Sequence, residues 1–147
     1  MTSNRLLSIL IVDDEVELAS LYRSYLETVG YDVVSFTDPI MALEYYKQNI
    51  PRFTHVLTDL RMPQMTGLDL ACEIRLLNEK VNIFLMTAFE IKDLVNNRQY
   101  VDARIEMVIQ KPMRLKSLQE YLNNAIIQNN TNSIMMEKSI PKIRPGI

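Results

Sequence analysis

The chain has 147 residues, one domain of ordinary size, with 16 basic residues, 18 acidic residues and a formal net charge of -2. Its hydrophobic share of 48% and charged share of 23% exclude collagen-like and wholly disordered proteins. A single cysteine excludes an internal disulfide framework, and no apolar run approaches the ~18 residues of a membrane helix. We therefore expect a cytoplasmic protein with no membrane segment, and a charge near zero disfavours direct nucleic-acid binding.

Five short apolar runs alternate with segments of helical periodicity. The runs, rich in Val, Ile, Leu and Phe, are Leu6–Val12, Val33–Phe36, His55–Thr58, Val81–Met86 and Met107–Ile109. Runs that are apolar on both faces are typical of buried parallel strands. Five strands that alternate with five helices predict an α/β fold with a parallel sheet.

The helices begin at recognisable capping residues. Apolar residues recur at helical spacing across Leu18–Val29, which predicts the first helix. Asp38 and Pro39 predict the cap and the first turn of the second helix. Thr66 and Asp69 have the spacing of a capping box at the start of the third helix.

The C-terminal part of the chain loses this pattern. The segment Glu90–Val101 has the weakest helical stripe, whereas Leu115–Ile126 has a clear one. We expect a domain over residues 1–127 and a flexible tail over 128–147. The tail is interpreted first as a frayed terminus and alternatively as a docking segment for a partner or a second subunit.

Polar residues close four of the predicted strands. The first strand ends in Asp13 and Asp14, the third in Asp59, the fourth in Thr87 and the fifth in Lys111. The carboxyl ends of parallel strands lie at one edge of a sheet, and ligands bind there. The sequence therefore predicts that three acids, a hydroxyl and an ammonium group converge.

Each acid also has an ordinary structural explanation. Asp14 and Glu17 could form a capping box, an interpretation as good as metal binding for Asp14 alone. Asp59 at the end of a central strand is costly unless a cation meets it. A divalent ion such as Mg²⁺ prefers oxygen ligands, and with Lys111 it would balance three carboxylates. Such a site can receive a phosphoryl group and leave one carboxylate free to attack phosphorus.

Four motifs, in this order, resemble those of the response-regulator receiver domain, the phospho-accepting half of two-component signalling. Ile9–Glu15 is similar to the family's first strand and acid pair, and Asp59–Gly67 to its phosphorylation segment. Thr87-Ala88 and Lys111-Pro112 match the remaining two motifs. The resemblance covers residues 6–127 and implies a doubly wound, flavodoxin-like three-layer sandwich with a five-stranded sheet of order 2-1-3-4-5.

The resemblance implies a role for each matched residue. Asp59 would become the aspartyl phosphate, and the phosphoryl group would contact Thr87, Ala88 and Lys111. The family's metal, Mg²⁺ or Mn²⁺, would be held by a set of four residues: Asp14, Asp59 and the backbone carbonyl of Arg61 directly, and Asp13 through water. The bond between Lys111 and Pro112 would be cis.

Two positions modulate this expectation. Val108 stands where family members often carry an aromatic residue that moves with Thr87, so the usual coupling of the two is in doubt here. By the resemblance, Arg61 and Phe89 occupy the positions that flank the route of the attacking water in the family, and we hypothesise that Phe89 shields the acyl phosphate. His55, at the far end of its strand from Asp59, is interpreted as a surface histidine.

The resemblance further implies a signalling switch rather than an enzyme, beyond its own phosphorylation and dephosphorylation. The phosphoryl donor would be a sensor histidine kinase or a phosphotransfer protein, and the signal would pass to an unnamed downstream protein. The family's docking face corresponds to residues 90–127, and phosphorylation can also drive homodimerisation. The alternatives are a scaffold that is never phosphorylated and a Mg²⁺-dependent phosphohydrolase, which would want an acid where Arg61 stands.

Overall fold

The structure, a computed structural model, describes residues 7–88, 92, 94–132 and 142–144. Its centre is a parallel sheet whose strands are β1 Ser8–Val12, β2 Asp32–Phe36, β3 His55–Asp59, β4 Asn82–Thr87, β5 Met107–Gln110 and β6 Lys142–Arg144. The strand order is β2-β1-β3-β4-β5-β6. The first five strands confirm the predicted doubly wound sheet of order 2-1-3-4-5, and β6 is an addition at its edge.

Helices cover both faces of the sheet. They are α1 Val16–Thr28, α2 Pro39–Gln48, α3 Gly67–Leu77, α4 Arg98–Asp102 and α5 Leu115–Asn132. Helices α1 and α5 pack on one face, and α2, α3 and α4 on the other. Short 3-10 turns lie at Ile50–Arg52 and Leu94–Asn96. The weakly predicted fourth helix is accordingly short.

Two apolar layers hold these helices on the sheet. Tyr46, Ile74 and Tyr100 are fully buried between α2, α3, α4 and the sheet, and Leu26 and Leu118 are buried beneath α1 and α5. Burial of one such aliphatic or aromatic side chain stabilises a fold by roughly 1.5–3 kcal/mol. Every residue of β1, β3 and β4 is buried, as expected for strands covered on both faces.

Two predicted helix starts are confirmed. The Asp38 carboxylate accepts hydrogen bonds from the backbone N–H groups of the first turn of α2, and Pro39 is the first helical residue. Thr66 and Asp69 form both bonds of a capping box at the start of α3. Local sequence therefore sets where these two helices begin.

The structure describes two parts of the segment for which we expect a flexible tail, and the prediction of that tail stays untested. Helix α5 continues through the predicted boundary at 127 as far as Asn132, and β6 pairs with β5 so that Met107 is opposite Lys142 and Ile109 opposite Arg144. A helix can extend on its own backbone hydrogen bonds without an apolar stripe, which is why periodicity misplaced its end. The expectations for residues 133–141 and 145–147 lie outside the described residues.

Among the helices that the structure describes, none has the length and apolar character that a bilayer crossing requires.

Candidate functional site

The three predicted acids meet at the carboxyl ends of β1 and β3. These strands are neighbours, with Val12 opposite Thr58, so the residues that follow them are brought together. One carboxylate oxygen each from Asp13, Asp14 and Asp59 lies within 4.8 Å of the others. Asp13 is fully buried and Asp59 is 9% exposed, whereas Asp14 faces solvent. The acidic cluster is therefore accessible to solvent at Asp14 and buried at Asp13 and Asp59.

Lys111 brings a positive charge into this cluster. Its Nζ lies 2.9 Å from Oδ2 of Asp13 and 3.6 Å from Oδ1 of Asp59. Burial alone lowers the pKa of the Lys111 ammonium, but the hydrogen bond to Asp13 and the charges of Asp13 and Asp59 raise it above its ordinary value. The lysine therefore stays charged and links two of the acids.

The backbone around Lys111 is held from the neighbouring strand. Its N–H donates to the carbonyl oxygen of Thr87 at 2.7 Å. The peptide bond between Lys111 and Pro112 is cis, as the resemblance implied.

The carboxyl group of Asp59 has a raised pKa. Burial raises its pKa to about 6, and the charges of Asp13 and Asp14 push it in the same direction. Lys111 and the Leu60 N–H, which donates to Oδ1 of Asp59 at 3.0 Å, lower it. One lysine does not neutralise three crowded carboxylates, so the site favours a further cation.

Asp13 also shapes the entry into α1. Its Oδ1 accepts a hydrogen bond from the Glu15 N–H at 2.9 Å. Helix α1 has Glu15 as its N-cap, without a side-chain capping bond. The alternative capping box of Asp14 and Glu17 is therefore not formed, and the Asp14 side chain is left for the cluster.

Thr87 and Ala88 lie at the carboxyl end of β4, at the same end of the sheet as the three acids. Asp59 pairs with Met86 across β3 and β4, and Thr87 is the next residue. Thr87 is buried, and Ala88 is exposed. Their phosphoryl contacts remain a prediction, but their strand positions place them beside the acids.

Gly67 has a role that the motif alone does not explain. A β-carbon at this position would lie 2.2 Å from the carbonyl oxygen of Asp59. The Gly67 N–H donates to the carbonyl of Leu60 at 2.7 Å. The first residue of α3 therefore packs directly on the backbone that carries Asp59, and only glycine fits. A glycine that follows a capping Thr66 was the available signal in the sequence.

The structure describes two of the three remaining predicted site residues. Arg61 is exposed two residues after Asp59, and its carbonyl as a metal ligand stays a prediction. Val108 is fully buried against the layer of α2, α3 and α4. Phe89 lies outside the described residues, so its shielding role also stays a prediction.

The interpretation of His55 as a surface residue is wrong. Its ring is fully buried, stacks on Phe84, and lies with Nδ1 2.8 Å from the Thr54 hydroxyl. Nε2 donates to the carbonyl of Leu122 in α5 at 3.0 Å. Helix α5 covers this end of β3, and a pattern within the strand cannot reveal that cover.

Comparison with known proteins agrees with this arrangement. The sequence model of the family described as response regulator receiver domain matches residues 9–123. The transcriptional regulatory protein ZraR of Klebsiella oxytoca is 28% identical over 124 residues, which are 84% of this chain and 27% of ZraR. The regulatory protein LuxO of Vibrio vulnificus is 32% identical over 116 residues, which are 79% of this chain and 25% of LuxO.

A solved structure of a receiver domain protein from Clostridium thermocellum has the same fold. It superposes with a TM-score of 0.76 at 25% identity and covers 86% of this chain and 98% of its own. The chain spans about a quarter of the length of the ZraR and LuxO relatives. Since the family model covers most of the chain, from β1 into α5, the chain belongs to the response regulator receiver domain family.

Proposed function

We propose that this chain is a phospho-accepting switch in which Asp59 takes a phosphoryl group from a phosphohistidine. The donor would be a sensor histidine kinase or a phosphotransfer protein. One observation carries the proposal: the Asp59 carboxylate lies within 4.8 Å of two other acids and 3.6 Å from the Lys111 ammonium. That charge pattern suits a nucleophile that must receive an anion.

The proposed reaction is a direct transfer. An oxygen of the Asp59 carboxylate attacks phosphorus, the bond between phosphorus and the imidazole nitrogen breaks, and the leaving imidazole takes up a proton. Lys111 neutralises charge on the phosphoryl oxygens, and the Thr87 hydroxyl donates a hydrogen bond to them. The product is an aspartyl phosphate at the edge of the sheet.

The donor set fits a hard divalent cation. Asp13, Asp14 and Asp59, with the backbone carbonyl of Arg61, would hold Mg²⁺ or Mn²⁺, because carboxylate and carbonyl oxygens are the ligands that such ions prefer. A bound divalent cation supplies charge neutralisation for the transferred group.

Phosphorylation would change the pairing of Lys111. In the structure this ammonium bonds Asp13 and approaches Asp59. A phosphoryl group adds about 1.5–2 negative charges and strong acceptor oxygens, which compete for the lysine. We propose that this competition shifts β5 and the face formed by α4, β5 and α5. Val101 on α4 is 58% exposed and available to a downstream protein on that face.

Mass measurement tests the proposal. The chain is incubated with Mg²⁺ and a small phosphoramidate donor, and we expect one added phosphoryl group that hydroxylamine removes. Asp59→Asn should abolish the gain, whereas Asp102→Asn, on the exposed surface of α4, should retain it. A chain that gains no phosphoryl group would contradict the switch and support a scaffold. Turnover of phosphomonoesters would support the hydrolase, although Arg61 occupies the position where that chemistry would want an acid.

A further inference from the structure

The outer edge of β5 is covered by a segment beyond the receiver fold. The family model ends at residue 123, yet residues 142–144 form β6 and pair in parallel with β5. Without β6, β5 would be the edge strand of the sheet. An edge strand presents unpaired backbone N–H and C=O groups, which accept another extended segment with little regard to sequence.

The pairing that holds β6 is short. Helix α5 lies on the same face of the sheet as α1, and β6 lies at the outer edge of β5. β6 pairs with β5 over three positions, whereas the other neighbouring strands pair over four or five. Fewer backbone pairings therefore hold β6 than hold any other strand of this sheet.

β6 lies beyond the part of the chain that the family model matches, which ends in α5 at residue 123. The strand has three residues, near the lower limit for strands. Nine residues separate it from α5, enough for roughly 30 Å of extended chain. The connection is therefore long enough for β6 to leave the sheet while α5 stays in place.

The composition of β6 indicates what the edge accepts. Lys142 and Arg144 flank a β-branched Ile143, and residues 1–127 carry the chain's excess of acidic side chains. A short basic segment with a β-branched centre is suited both to strand pairing and to an acidic domain.

We propose that the outer edge of β5 is a strand-addition site for a short basic peptide segment, and that residues 142–144 occupy it in cis until a partner segment displaces them. The tail is then an intramolecular strap on a docking surface. The inference does not rest on phosphorylation of Asp59.

A disulfide tests the cis pairing. Val108 and Ile143 are opposite each other, so both become cysteine in a Cys72→Ser background. Mild oxidation should give an intrachain bond, seen as a monomer band in a non-reducing gel. A control pair of Val108→Cys and Glu44→Cys, with Glu44 on the exposed side of α2, should form none. A disulfide-linked dimer would overturn the cis strap in favour of strand exchange between copies, and absence of any disulfide would overturn the pairing.

A peptide tests the displacement. A fluorescein-labelled peptide of residues 139–147 is titrated into the same cysteine pair, reduced or oxidised. We expect the reduced protein and the wild-type chain to bind the peptide with an affinity at least about tenfold higher than that of the oxidised protein. The disulfide holds β6 on β5, so the oxidised protein cannot reach the state in which the edge of β5 is free. A peptide with Ile143→Pro should bind weakly, since proline removes a backbone donor. Equal affinity for the two forms, or no binding to the reduced form, would refute the proposal.

Discussion

At the scale of single residues, the position of each site residue at a strand end determines where its side chain lies. Burial and the neighbouring charges then shift the pKa values of Asp59 and Lys111. Asp13 follows one buried strand, Asp59 ends another, and Lys111 lies 2.9 Å from Oδ2 of Asp13 and 3.6 Å from Oδ1 of Asp59. The sequence was sufficient to nominate them, because their position after an apolar run is a local pattern. Gly67 and His55 depend on what packs over them, so their roles appeared only in the fold.

Substitution of Gly67 by alanine should damage the site through the backbone. The added methyl group would meet the carbonyl of Asp59, so we expect a loss of about 1–3 kcal/mol in unfolding free energy and weaker Mg²⁺ binding. Urea denaturation and calorimetric titration with Mg²⁺ measure the two effects. Gly30 is the control, because it has a φ of 102° and open space around it. Gly30→Ala should cost about 1–2 kcal/mol and leave Mg²⁺ affinity unchanged. Equal effects on metal binding would contradict this account.

His55 should make the stability depend on pH. Burial lowers its pKa to about 4, against the hydrogen bond to Leu122, which raises it. A lowered folded-state pKa means that the unfolded chain binds the proton more tightly. Stability from His55 is therefore complete above about pH 6.5 and is lost as pH falls toward 4.

The measurement compares wild type with His55→Asn in urea at pH 7.5 and pH 5. The difference in unfolding free energy between the two proteins should fall by about 2 kcal/mol at the lower pH. Asp59 is present in both proteins, so its contribution to the pH dependence of stability, which has the opposite sign because its pKa is raised, cancels in this difference. A difference that does not change with pH would show that His55 is not buried as a neutral ring.

Secondary-structure elements are tied together by buried polar contacts as well as by the apolar layers. Arg75, in the last turn of α3, is 7% exposed. Its guanidinium donates to four backbone carbonyls, those of Asn78, Glu79, Ala103 and Arg104. Arg104 has a φ of 51°, so this tie also supports a strained turn before β5.

Arg75→Lys should therefore be strongly destabilising although the charge is kept. An ammonium group cannot reproduce the planar fork of donors, and carbonyls are left unpaired, so we expect a loss of about 2–4 kcal/mol in unfolding free energy. Arg23→Lys is the matched control, because Arg23 makes an exposed pair with Glu27 on α1. It should change stability by less than about 0.5 kcal/mol. Similar losses for both variants in urea denaturation would refute the role of the four carbonyls.

At the scale of the whole molecule, the crowded carboxylates of the site lower the stability of the fold. Burial and two neighbouring carboxylates raise the pKa of Asp59 to about 6, so its charged form disfavours the folded state at neutral pH. For an acid with a raised folded-state pKa, stability is lost as pH rises from the unfolded value of about 4 through 6. Under the proposed function, a cation and a phosphoryl group would use the same crowded carboxylates, which would account for this cost.

Asp59→Asn should accordingly stabilise the chain when no divalent cation is present. At pH 7.5 with a chelator we expect a gain of about 1–3 kcal/mol in unfolding free energy relative to wild type. Millimolar Mg²⁺ should stabilise the wild type more than the variant and reduce this gap. Asp32→Asn, at an exposed pair with Arg52, should show no gain. A destabilised Asp59→Asn protein would contradict the electrostatic interpretation.

Local sequence patterns were enough to predict the alternation of strands and helices, the caps of α2 and α3, and the polar residues at the strand ends. These features depend on neighbours within a few positions, where apolar periodicity and capping chemistry act. Three contacts became visible only in the folded chain: the bond between Lys111 and Asp13, which are 98 positions apart, the cover of α5 over His55, and the pairing of β6 with β5. Such contacts follow from how separate elements pack, and no short stretch of sequence contains both partners.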